Sequence, residues 1–262
     1  MEQYQTDGQR VGLNAWQLKL IAIVAMVIDH LAFSFVPDGT FLAVAMHFIG
    51  RITGPTMFYF AVEGYHHTRD LKRYILRLVI FAGISYFPFL LFHAGGDVGS
   101  LNPLRLNVIY TILLGVLAVT VRHHVKNSVL KLLLILLLFT LGMLGDWAIY
   151  GIIIILVFDF YRGDFRNQAV GYALITLLGV GVLRIWTSPF QSLIYLGEFS
   201  LNLETFLYYL SDSGMFLALF LLSRYNGERG PSGGWRRWLF YWFYPAHLLL
   251  IGGIQFLMLR TG

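Results

Sequence analysis

The 262-residue sequence has no cysteine and little charge, with Asp, Glu, Lys and Arg making up only 13%, about half the roughly 25% of a soluble domain. The missing thiols exclude disulfides, thiolate metal sites, thiol nucleophiles and any enzyme that carries an acyl group on cysteine. Chemistry here has to rest on histidine, carboxylates, hydroxyls or backbone groups. No Walker loop, dinucleotide Gly fingerprint, G-x-S-x-G elbow or H-E-x-x-H zinc motif is present, so neither ATP-driven transport, serine-hydrolase chemistry nor a metal ligand set is predicted. What fills the sequence instead is apolar: 57% of residues are hydrophobic and mean hydropathy is +0.67. Stretches such as 132–139 and 152–157 hold no polar residue and read as parts of membrane spans.

Apolar runs separated by polar breaks give nine candidate spans: 16–36, 41–65, 74–91, 106–121, 129–144, 147–160, 169–185, 205–223 and 238–259. At about 20 residues each, nine spans leave about 80 residues for ends and loops. The expected fold is therefore all-α, a polytopic membrane helix bundle forming a single domain over 1–262. Residues 188–204 carry Pro189, Gln191, Glu198, Asn202 and Glu204 and are expected to be interfacial or re-entrant. The polar start, with Glu2, Asp7 and Arg10, lacks the basic and short apolar regions of a removable signal, so the first span is expected to be retained.

With nine spans, one side receives all but four of the 19 Lys and Arg residues; Arg105, Arg184 and Arg260 fall opposite and Arg51 lies within a span. The positive-inside rule then puts the N-terminus in the cytoplasm and the C-terminus outside. It also accounts for the net charge of +5 without nucleic acid.

Ionisable groups inside spans cost roughly 2.5 to 3.5 kcal/mol each at the centre, which makes them functional candidates. Asp29-His30 interrupts an apolar helix, and because successive residues point about 100° apart each is expected to face a different neighbour. Span two holds Gly50-Arg51-Ile52-Thr53-Gly54-Pro55, whose Gly50/Gly54 spacing lets helices approach closely. Arg51 needs an anion; Asp29 is nearest by depth, leaving either a structural Arg51–Asp29 pair or a direct role in binding a carbonyl or anion. Pro55 is expected to kink this helix and free a carbonyl, and His47 is expected to be a satisfied interfacial group. Glu63 reads as an interfacial carboxylate paired with Arg69 or Arg73, or as part of a substrate site. His66-His67 and His123-His124 are expected to be solvated. Asn107 with Tyr110 and Thr111, Asp146 with Tyr150, Asp212, and His247 after Tyr244-Pro245 together suggest a polar cavity in the bundle.

These residues lie in blocks that resemble the TraX family: Lys19 to His30; Gly50-Arg51-Ile52 with Pro55, Phe58 and Glu63-Gly64-Tyr65; Asn107 to Thr111; Gly145-Asp146-Trp147 with Tyr150-Gly151; and Tyr244-Pro245-Ala246-His247-Leu248. The blocks run through almost the whole chain in one order. The family is named for a membrane protein of conjugative plasmids associated with N-terminal acetylation of pilin, and looks related to transmembrane acyltransferases that include sugar O-acetyltransferases. The resemblance implies a bacterial inner-membrane enzyme, an acetyl-CoA donor entering from the cytoplasm and an essential intramembrane histidine, here His30. An Asp precedes that His, and Lys19-Leu20 replaces an Arg-Gly pair common in the sugar enzymes, which leaves the acceptor open between a peptide N-terminus and a glycan.

On this reading His30 is general base, Arg51 or Asn107 stabilises the oxyanion, and Asp29 or Asp146 orients a positive partner. Glu63, Arg69, Lys72, Arg73, Arg77, Tyr244 and His247 would bind the donor, with lipid around the bundle. Two rivals remain: a proton-coupled transporter using Asp29, His30, Glu63 and Asp146 as a relay, and a non-catalytic assembly factor for surface appendages.

Overall fold

Every regular element among the described residues is helical, as the apolar periodicity requires; two isolated parallel bridges, Leu13 with Tyr225 and Leu106 with Gly145, pin loops together. The structure is a computed structural model that describes residues 11–180, 182–183, 187, 193–194, 203–231 and 233–261. The interfacial segment expected over 188–204 lies almost wholly outside them.

Polar caps start six of the helices. Asn14 and Gln17 form a reciprocal capping box at the head of α1 (Ala15–Phe35), satisfying two backbone donors that the helix leaves free. Thr40 caps α2 (Phe41–Gly50), which is followed by α3 (Thr53–His67). Asp70 caps α4 (Leu71–Ile84), and α5 (Tyr86–His93) follows directly. Asn107 caps α6 (Val108–His124), Asn127 caps α7 (Ser128–Gly142), and α8 (Ala148–Phe160) comes after a short connection. Asp164 caps α9 (Phe165–Leu174), which runs into a π-helical turn at Ile175–Val180. The last helices are α10 (Leu203–Asp212), α11 (Met215–Leu222) and α12 (Trp235–Thr261).

Among the described residues two helices, Ala15–Phe35 and Trp238–Thr261, are long and apolar enough to cross a membrane, and α4 with α5 makes a third if that pair, bent by 41°, is one span. Exposed Leu132, Leu133, Leu136 and Leu137 on α7, and Leu250, Leu257 and Met258 on α12, form apolar surface of the kind that hydrocarbon covers. This is a membrane-type helical protein.

Three expected continuous spans are interrupted. The 41–65 span breaks at Arg51–Ile52, where the Ile52 amide turns back to the Ile49 carbonyl at 3.2 Å. The break comes ahead of Pro55, so the proline produces no kink: it falls in the first turn of α3, where the amide it lacks has no intrahelical acceptor. The 74–91 span bends at Ser85, and the 205–223 span breaks at Ser213–Gly214. A Cβ on Gly214 would lie 2.6 Å from the carbonyl carbon of Phe48, so α2 and the second break touch through backbone.

Helix α6 packs against α3, α4, α7 and α8, while α1 packs against α2, α3 and α12. Among the described residues three hydrophobic clusters hold these layers, and the smallest, Leu114, Ala118, Leu138 and Ile152, seats α7 on α6 and α8. Of the two larger ones, one joins Ile23, Met26, Phe81, Phe92, Val116 and Leu248, and the second joins Leu18, Phe58, Val119, Ile155, Phe158 and Tyr172.

Candidate functional site

Two cavities, of about 900 Å³ and about 1010 Å³, meet along α1. Lys19 and Ile23 face the first, Asp29, His30 and Phe33 face the second, and Met26 lines both. At 1.5 Å per residue, Lys19 and His30 are about 16 Å apart along the helix. Thr53 and Gly54 of α3, Val108 of α6 and Tyr244 of α12 complete the shared wall.

The first cavity is basic. Lys19, Arg69, Arg73, Arg77, Arg229 and Arg236 line it against Glu63 and Asp70. Asp70 is held by Arg73 at 3.0 Å. Glu63 pairs with Arg162 at 2.8 Å and lies 3.5 Å from His67; the expected Arg69 or Arg73 partner is replaced because α8's C-terminal end packs beside α3. Among the described residues no carboxylate pairs with Lys19, Arg69, Arg77, Arg229 or Arg236, so the field of this cavity is positive. Lys19 Nζ also sits over the rings of Phe60 and Phe240, at 5.0 and 5.6 Å from their centroids, a placement that stabilises a cation against aromatic faces.

The second cavity gathers most of the polar groups expected within spans around α1 and the α2–α3 break. His47 Nδ1 donates to Asp29 Oδ1 at 2.9 Å. Arg51 pairs with Asp212, Nε to Oδ1 2.8 Å, and not with Asp29. His47 and Arg51 are one turn apart on the same face, so His47 takes the carboxylate on α1 while α10 brings Asp212 to the arginine. Gly50 permits this contact: a Cβ there would be 2.7 Å from Asp29 Cγ. Asp29 and His30 do face different neighbours, since His30 Nδ1 lies 2.8 Å from His247 Nε2.

Asp146 lines the same cavity from the connection between α7 and α8, outside the helices, 3.9 Å from Arg105 and 4.0 Å from His93. Loss of water contact pushes its carboxyl up to about 6, against the pull of Arg105. Asn107 lines neither cavity. Its Oδ1 accepts from the Tyr110 amide at 3.2 Å and its Nδ2 donates to the Ala82 carbonyl at 2.8 Å, so the amide caps α6 and ties it to α4 instead of reaching a reaction centre. Lys72 is also off the basic wall, and His247 stands behind His30, while Tyr244 lines both cavities.

His93, which nothing in its neighbourhood of the sequence singles out, enters the site because the bend at Ser85 turns α5 toward Asp146. Lys19 stood in the sequence as a basic residue near a span end and as the start of a family block, with nothing to assign it to the donor site. His66 and His123 are not simply solvated: His66 Nε2 is 2.6 Å and His123 Nε2 3.0 Å from the buried Asp159 carboxylate, which Arg122 also reaches. The two histidines and Asp159 offer ligand atoms within 4.8 Å of one another, the spacing of a metal site. With Arg122 on one carboxylate oxygen, the four groups already satisfy each other and tie the ends of α3, α6 and α8 together.

No solved structure is significantly similar to the chain. A curated relative is a probable fimbrial assembly protein, FimC of serogroup H1, from Dichelobacter nodosus, 31% identical over 249 residues that cover 93% of this chain and 96% of the relative. The family model described as TraX protein matches residues 15–255, a range that contains both cavities and every paired group around His30. The chain belongs to the TraX family.

Proposed function

We propose that the protein is an acetyltransferase of the bacterial inner membrane that moves acetyl from acetyl-CoA to an amine or hydroxyl. The observation that carries this reading is the pair of cavities that share a wall beside His30, one of them strongly basic. Lys19, Arg69, Arg77, Arg229 and Arg236 suit the phosphates of a CoA nucleotide, and a long flexible arm such as pantetheine spans the roughly 16 Å from Lys19 to His30. The acceptor enters by the second cavity. His30 takes the proton from its N–H or O–H as it attacks the thioester carbon; the C–S bond breaks with its electron pair going to sulfur, and the thiolate takes the proton back from His30. Arg51, anchored by Asp212, stands in the same cavity as a donor for the carbonyl oxygen.

In this reading the basic cavity and the N-terminus are cytoplasmic. On the same reading α1, α2–α3, α4–α5, α6, α7, α8, α9, α10–α11 and α12 would be the nine spans. The name of the Dichelobacter nodosus relative favours a fimbrial or pilin-like subunit, through its N-terminal amine, as the acceptor.

The test is acetyl-CoA binding and slow thioester hydrolysis by the purified full-length protein in detergent, wild type against His30→Ala. Binding by both with turnover by the wild type alone is expected. A folded wild type that binds no acetyl-CoA would sink the reading, and CoA-independent, proton-driven uptake in liposomes would replace it with transport.

A further inference from the structure

His30 is joined to a second imidazole whose role the two cavities do not explain. His247 lies one turn beyond Phe243 on α12, just past Pro245, and is 7% exposed. Among the described residues lining the cavities it is on neither wall. Its contacts instead run in a line from backbone to His30. His247 Nδ1 is 2.9 Å from the Phe243 carbonyl oxygen, and His247 Nε2 is 2.8 Å from His30 Nδ1. The two rings are within 6° of parallel with centroids 5.0 Å apart. A nitrogen separation of 2.8 Å is too short for stacked faces, so the rings meet edge to edge, as an in-plane N–H···N bond requires. Phe92 and Phe243 pack on the two rings, at 4.7 Å from His30 and 5.1 Å from His247, and hold both planes.

The hydrogens in this line follow from its far end. A carbonyl oxygen only accepts, so His247 Nδ1 carries the hydrogen. In a neutral imidazole Nε2 is then the acceptor, and the hydrogen between the rings belongs to His30 Nδ1. Neutral His30 therefore has no hydrogen on Nε2, and among the described residues that nitrogen has no hydrogen-bond partner. The backbone carbonyl of Phe243 thus sets the tautomer of a histidine on another helix.

We propose that His247 is a positioning residue that locks His30 as the Nδ1–H tautomer, leaving the Nε2 lone pair open to the second cavity. The inference deepens the acyltransferase reading and rests on it for the base role alone. In the transfer step the acceptor proton goes to His30 Nε2, while the His30 Nδ1–H keeps donating to His247 Nε2 and spreads the imidazolium charge. Return of the Nε2 proton to the departing thiolate restores the starting tautomer without moving any other hydrogen. The asymmetry in this line makes the base reusable: a His30 free to flip its tautomer would present an N–H to the acceptor for part of the time.

Two replacements separate this from plain packing. His247→Gln keeps an acceptor oxygen near the Nε2 position, whereas His247→Phe keeps the ring and removes the acceptor. His247→Phe is expected to lower kcat by about a hundredfold or more with KM for acetyl-CoA unchanged, up to the roughly ten-thousandfold that loss of the correct histidine tautomer costs a catalytic triad. His247→Gln is expected to stay within about tenfold of wild type. Nitrogen NMR of histidine-labelled protein, assigned by loss of signal in His30→Ala, is expected to show a protonated Nδ1 and a bare Nε2 on His30 in the wild type and a mixture in His247→Phe. A His30 Nε2 that is protonated in the neutral wild type, equal losses in the Gln and Phe variants, or an unimpaired His247→Phe each overturn the proposal. If the wild type transfers no acetyl group at all, the acyltransferase reading falls, and the nitrogen spectrum still decides the tautomer.

Discussion

The Arg51–Asp212 pair joins two interrupted helical segments, α2–α3 and α10–α11, and its strength is open to direct measurement. Asp212 is 7% exposed and Arg51 29%, with Nε and Oδ1 2.8 Å apart. For charge centres about 4 Å apart at an effective dielectric constant of about 20, the attraction is about 4 kcal/mol, and partial exposure of the guanidinium reduces it. A coupling energy of about 2 to 4 kcal/mol is expected from a double-mutant cycle of Arg51→Met and Asp212→Asn. Each single change should cost about 3 to 5 kcal/mol because it strands a buried charge, and the double change should cost much less than their sum. In folded-to-unfolded ratio the coupling is about thirtyfold to a thousandfold, measurable by equilibrium unfolding in mixed micelles. A parallel cycle of Arg51→Met and Asp29→Asn should give a smaller value, because His47 holds that carboxylate at 2.9 Å. A coupling to Asp212 below about 0.5 kcal/mol, or one to Asp29 that exceeds it, would refute this assignment of partners.

Three further outcomes follow from the same geometry. Arg77→Glu should weaken acetyl-CoA binding by calorimetry at least about tenfold, while Lys72→Glu, off the cavity wall, should change it less than about threefold; equal losses would mean that only overall charge matters. Gly50→Ala should cost about 1 to 3 kcal/mol by thermal unfolding, because its Cβ would overlap Asp29, whereas Gly83→Ala, with nothing within 4 Å, should be neutral or stabilising. Asp146 has a folded-state value raised from 3.8 to about 6, so its protonation favours the folded state. That stabilisation is full below about pH 4 and disappears as pH rises through 6. Asp146→Asn should therefore melt higher than wild type at pH 7.5, with the gap closing toward pH 4; a gap that widens on acidification would contradict the assigned direction.

The helices and their order were legible in the sequence because burial in hydrocarbon imposes long apolar runs with polar ends, and caps such as Asn14, Asp70 and Asn107 stand at those ends. Asp29 and His30 stood out because charge is rare there. Their partners did not, since pairing across helices is a property of packing: the partner of Arg51 lies on α10, that of His30 on α12, and nothing local in either sequence marks the match. The breaks were hidden for a different reason. A hydropathy window averages over about 20 residues and passes smoothly across Arg51–Ile52 and Ser213–Gly214.

Those breaks and those pairs are one feature seen twice. Interrupted helical backbone is tolerated at membrane depth only where protein or a polar cavity supplies partners. Here the interruption after α2 turns Arg51 toward the second cavity, and the interruption after α10 stops that helix at Asp212, the anion Arg51 needs. Gly214 lets the second break lie against the backbone of Phe48, three residues before the first. Removing either break by an added helical register would separate the pair, and removing the first would also rotate His47 away from Asp29. The polar cavity is therefore built by the same discontinuities that a reading for continuous spans smooths over, and its position beside His30 follows from Gly50 bringing α2 onto Asp29.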